Sequence, residues 1–184
     1  MFTVYRQGAG RGIGMGYDEF VVNFEGICAE HVEDSRARAF AFVFYNMIDG
    51  VVRKALASES GFKILNQASG HDITLFYLHG DAKAPQTKAF NEHFFRALNI
   101  DVEQASPPCI VFFRVCEQKI DDILIRQIDI ETKEPYAVVE EMRRYVADYI
   151  ERMNKEGNLS GITWIPKLLF GKALKGALDM LHGR

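Results

Sequence analysis

Two prolines followed by an unbroken apolar run constrain this chain more than any other feature. Residues 106–115 read Ser-Pro-Pro-Cys-Ile-Val-Phe-Phe-Arg-Val. A proline inside a sheet loses a ladder hydrogen bond, so Pro107 and Pro108 fit ahead of a strand and not within it. The run from Cys109 to Phe113 does not alternate with polar residues, which predicts a central strand covered on both faces. Helices must supply that cover, so the expected class is α/β, a mixed sheet flanked by helices.

The neighbouring elements follow from periodicity. Glu19–Glu25 is rich in β formers, stops at Gly26 and reads as a strand. After an N-cap at Asp34 or Ser35, Phe40, Phe44, Met47, Ile48, Val51, Val52 and Ala55 trace a helical stripe that Gly50 interrupts. Phe40, Phe42 and Phe44 also alternate as a strand would; the longer helical pattern is preferred. His71–Leu78 predicts a second strand, and about Gln86–Leu98 a helix burying Phe90, Phe94 and Leu98. Past the proline-led strand, a turn near Glu117–Lys119 leads into Asp122–Ile130, making a hairpin. A helix from about Pro135 to Asn154 places Val139, Met142, Val146, Tyr149, Ile150 and Met153 on one side.

The 184 residues suit one domain with appendages: a glycine-rich leader (1–18), an α/β domain (19–156), and a linker with a basic helix (157–184). Fourteen Phe and seven Tyr supply a large aromatic core and exclude general disorder. A net charge of −3 argues against a nucleic-acid binder that uses its whole surface. The N-terminus lacks the pattern of a secretory signal, and three cysteines (Cys28, Cys109, Cys116) make no disulfide framework. A cytoplasmic setting is expected.

Motifs for small-molecule chemistry are sparse. Gly8 to Gly16 places glycine at alternate positions, yet matches neither G-x-G-x-x-G nor a loop ending in Gly-Lys-Ser/Thr. His71-Asp72, His79 with Asp81, and Glu92-His93 sit on separate elements without metal-ligand spacing. No cofactor and no metal site is expected.

The element order β-α-β-α-β-β-α, with proline just ahead of the third strand, resembles the thioredoxin-like superfamily over about residues 19–154. The resemblance implies a cis-proline at Pro108 or Pro107 and a reactive cysteine between the first strand and first helix, where Cys28 is expected. Folding would then bring the Cys28 loop near Pro108 and Cys109. The Cys-x-x-Cys of the redox members is replaced by Cys28-Ala-Glu-His31. His31 would act as a neighbouring base, and Cys109 as a resolving partner.

The C-terminal segment carries the strongest pattern. From Trp164 to His182 the residues fit a helix with Pro166 in its first turn. Leu169, Phe170, Ala173, Leu174, Ala177, Leu178, Met180 and Leu181 form a broad apolar arc, opposed by Lys172, Lys175, Asp179 and His182. Residues 162–184 carry Lys167, Lys172, Lys175 and Arg184 against Asp179, a net of +3, leaving −6 on residues 1–161. Such a face must be buried on its own domain, on a protein partner or second copy, or at a membrane surface.

The expected function is a non-catalytic binding or adaptor module that associates through this helix, with Pro108, Trp164, Lys167, Phe170, Lys172, Leu174 and Lys175 as binding residues. The alternative is a thiol-dependent oxidoreductase or transferase centred on Cys28, with Cys109 and Pro108 nearby.

Overall fold

The computed structural model describes residues 3–7, 13–16, 20, 39–78, 83–101, 103, 105–116, 119–131 and 134–155. In chain order these form β1 Thr3–Gln7, β2 Ile13–Gly16, β3 Ala39–Phe44, α1 Gly50–Ala57, α2 Glu59–Ser69, β4 Ile73–Leu78, α3 Ala84–Ala97, β5 Cys109–Cys116, β6 Lys119–Gln127 and α4 Pro135–Lys155. The strands line up as β2-β1-β4-β3-β5-β6. Among the described strands only β3 and β4 run parallel, from Ala39↔Ile73 to Val43↔Tyr77, and the crossover between them carries α1 and α2. The other neighbours are antiparallel, so this is a mixed sheet flanked by helices.

β3 corrects the sequence reading, which placed these residues in a helix. All six residues of Ala39–Phe44 are buried, and the helix starts only at Gly50. Side chains alternate across a strand, so Phe40, Phe42 and Phe44 share one face while Ala39, Ala41 and Val43 share the other. Phe42 stacks on Phe94 of α3 at 4.3 Å and meets Phe90 at 5.9 Å. Phe44 lies 4.4 Å from Phe95. On the opposite face Ala41 pairs with Phe112, whose ring stacks on Tyr149 of α4 at 4.6 Å. The two faces therefore divide their volume unevenly. Aromatic rings fill the α3 side, and small residues on β3 leave room for Phe112 and α4 on the other. Ile48, a core position on the helical stripe, is 89% exposed.

α2 was not foreseen, and one serine explains it. Ser58 has an extended backbone (φ −82°, ψ 140°), ends α1 and opens α2. Its Oγ donates to Ala55 O at 2.8 Å and accepts from Gly61 N–H at 3.0 Å, so a single side chain caps both helix ends. A Cβ at Gly61 would collide with the Ala55 carbonyl oxygen and reach within 3.2 Å of Val139 Cγ2, so glycine lets α2 approach α4.

The glycine-rich segment, expected as a leader, supplies β1 and β2, and β1 pairs with β4. Of the expected strand 19–25 only Phe20 is described; it is helical, and its ring packs 5.3 Å from Phe76. β4, α3, β5 and α4 fall where periodicity predicts them, and β6 starts three residues earlier than expected. Residues 157–184 lie outside the described residues.

Candidate functional site

The register between β3 and β5 builds one end of the sheet. Phe44 pairs with Cys109, so the turn that follows β3 lies beside the Pro107–Pro108 bond that precedes β5. That bond is cis. In an α/β sheet this carboxyl end of a parallel pair, beside a point where strand direction reverses, is where ligands commonly bind.

Hydrogen bonds hold the turn from below. Tyr45 is buried, and its hydroxyl donates to Leu78 O at 3.1 Å, joining the carboxyl ends of β3 and β4. Asn91 of α3 donates through Nδ2 to Tyr45 O at 2.9 Å and to Asn46 Oδ1 at 3.4 Å. Asn46 N–H donates to Asp49 Oδ2 at 2.5 Å, and Asp49 N–H returns a bond to Asn46 O at 3.0 Å. Asp49 is 3% exposed; burial raises its pKa, and the Asn46 N–H bond offsets part of that rise. Ile48 stands at the tip of this fixed turn, facing solvent.

The proline side is anchored from β6. Gln127 Nε2 donates to Ser106 O at 2.7 Å and to Pro108 O at 2.9 Å. Ile128 N–H adds a bond to Pro108 O at 3.0 Å. Gln127 is itself fixed to α4, since Tyr145 Oη donates to its carbonyl at 3.0 Å. Two rigid loops thus meet at one edge of the core and present backbone, amide groups and one apolar tip.

The structure redistributes the expected site residues. Pro108 is buried and cis as the resemblance implies. Cys109 is fully buried on β5, and burial pushes its thiol up to about 12, the setting of a packed core cysteine and not of a thiolate. The connection between the first strand of the parallel pair and its following helix is Tyr45–Asp49, and it contains no cysteine. Cys28 precedes β3 and does not fall in that connection. Cys28 and His31 lie outside the described residues, as do His79, Asp81, Trp164, Lys167, Phe170, Lys172, Leu174 and Lys175. Among the described residues no group of three His, Cys, Asp or Glu could hold a metal ion.

A second polar cluster was missed by sequence reasoning. Arg114 on β5 is 5% exposed, and its Nη2 lies 3.1 Å from Asp122 Oδ2. Arg152 Nη2 contacts Asp122 Oδ1, and Tyr149 Oη donates to Asp122 Oδ2 at 2.9 Å. One carboxylate thus ties β5, β6 and α4 together. The lone arginine in the apolar run of β5 was the only signal for it.

No family model, curated protein or solved structure matches this chain. Among the described residues no helix is long and apolar enough to cross a membrane.

Proposed function

We propose that this chain is a binding or adaptor module on a thioredoxin-like scaffold, associating with a protein partner or a second copy through residues 162–184. The observation that carries the reading is the Tyr45–Asp49 connection. The inner strands run β4-β3-β5-β6 with one parallel pair, an order that supports the resemblance; on that reading the position of the redox cysteine would fall in Asn46-Met47-Ile48-Asp49. A scaffold without a thiol at that position is suited to holding surfaces in place and not to dithiol exchange. The buried, strongly basic-shifted thiol of Cys109 supports the same reading.

Association is assigned to the tail because its apolar arc is too broad to stay in water, and its +3 charge favours an acidic surface. Cutting the chain after Gly161 is the test. The shortened protein is expected to show a cooperative thermal transition like that of the full chain and to lack the concentration-dependent association that the full chain is expected to show in sedimentation velocity. Association that survives the cut overturns the reading; a cut protein that unfolds makes the helix part of the core.

A further inference from the structure

We infer that the groove between α2 and α4 is the resting seat of the chain's own C-terminal helix, residues 164–182. The groove has a volume of about 390 Å³, and its lining includes Ile64, Gln67, Ala68, Glu140, Arg143 and Ala147. Its walls are small where the two helices face each other, at Ala68 and Ala147, and this leaves space for branched or aromatic side chains from outside. Tyr136 stands at one end of it, 64% exposed.

Chain length identifies the occupant. α4 ends at Lys155, and residues 156–163 can span up to about 26 Å when extended. That is ample for the tail to reverse direction and lie along α4, since packed helices sit only about 8–10 Å apart. α4 is 21 residues long, about 31 Å, and residues 164–182 as the helix their pattern predicts would rise about 28 Å. Laid antiparallel from Trp164 beside Lys155, equal rise brings Lys172 level with Ala147, with the apolar Ala173 and Leu174 one and two residues further along. Further on it brings Gly176 level with Arg143, with Ala177 and Leu178 just beyond. Ala173, Leu174, Ala177 and Leu178 belong to the tail's apolar arc, and a shift of one to two residues along the axis sets the leucines against the space that Ala68 and Ala147 leave open. Charge works in the same direction, with +3 on residues 162–184 and −6 on residues 1–161.

Tethering makes the seat intramolecular. A short flexible linker holds the tail at an effective concentration on the order of millimolar, well above that of a second copy in dilute solution. The inference goes beyond the association reading. The same arc cannot face the groove and a partner together, so a partner must take the tail from its seat.

Hydrogen exchange of the full chain tests it. Amides of residues 166–182 are expected to exchange at least ten-fold more slowly than in the Ala147→Arg protein, in which a long charged side chain fills the groove. Ala147 is exposed, so the amides of β3 and β4 are expected to keep their protection and report an intact core. A second variant, Tyr136→Ser, is expected to weaken the protection in the same region. Tail amides that exchange freely in the wild type, or that stay equally protected in Ala147→Arg, overturn the seat. Tail amides left unprotected at the dilution where the chain sediments as a monomer also overturn it, because their protection would then come only from a second copy. Failure of the association reading leaves a distinct signature: a chain monomeric at every concentration, with its tail still protected.

Discussion

Tyr149 Oη donates to Asp122 Oδ2 at 2.9 Å, joining the middle of α4 to a residue of β6 whose backbone is left-handed (φ +53°). The register explains that backbone. Phe112 pairs with Leu124 and Arg114 with Asp121, so Asp122 and Ile123 of β6 face the single residue Phe113. This is a β-bulge, and a left-handed residue at its first position is a usual way to make one. Aspartate tolerates that region better than most side chains. The bulge turns the carboxylate toward Arg114, Tyr149 and Arg152.

Breaking this cluster at different points should cost different amounts. Tyr149→Phe removes one hydrogen bond while the ring still stacks on Phe112, and about 1–2 kcal/mol of stability should be lost. Asp122→Ala leaves the buried Arg114 charge without this carboxylate, for an expected loss of about 3–5 kcal/mol. Urea denaturation measures both. Equal losses would show that the carboxylate does not hold the arginine in place.

Two buried groups should bend the pH–stability curve in opposite directions. Burial, with Arg96 nearby, lowers the His93 pKa to about 4. Its neutral ring suits the fold, so this contribution is complete above about pH 6.5 and drains away as pH falls toward about 4. Asp49 runs the other way. Its raised pKa means that its charge costs stability at neutral pH, and acidification toward the unfolded value of 3.8 relieves that cost. His93→Phe should flatten the loss of stability between pH 6.5 and 4. Asp49→Asn keeps an acceptor for Asn46 N–H and should be at least as stable as wild type at pH 7, with the gap closing in acid. A wild-type curve flat from pH 7 to 4.5, unchanged by either substitution, contradicts both assignments.

Gly61 offers a packing test. Adding a methyl group there forces α2 away from the Ala55 carbonyl and from Val139, and the crowding should cost about 1–3 kcal/mol despite alanine's better helix propensity. A Gly61→Ala protein more stable than wild type in thermal melts would mean that the helices yield without loss.

Thiol reactivity checks the core assignment of Cys109. In the folded protein it should resist alkylation up to about pH 10 and react promptly once urea unfolds the chain. Fast labelling at neutral pH, located at Cys109 by peptide mapping, would contradict its burial on β5.

The sequence was most informative where one element could decide for itself. β5 was legible because prolines cannot enter a sheet and apolar runs cannot face water. α4 was legible from its 3.6-residue stripe. β3 was not, because Phe40 and Phe44 join Met47, Ile48, Val51 and Val52 in a stripe that crosses from strand through turn to helix. What separates them is tertiary: Ala41 opposite Phe112, and Phe42 against Phe94. That misreading moved the strand-to-helix connection by about twenty residues, from the neighbourhood of Cys28 to Tyr45–Asp49. The candidate site moved with it. The bulge at Asp122 belongs to the register of two strands, and no single segment records it.

Sedimentation velocity of the full chain over a wide concentration range, beside the full-length Phe170→Glu/Leu174→Glu protein, tests the central claim most directly. The wild type should show a sedimentation coefficient that rises with concentration, and the variant should stay monomeric with an unchanged melting transition. A wild type that is monomeric throughout, or a variant that associates equally well, would contradict self-association through residues 162–184.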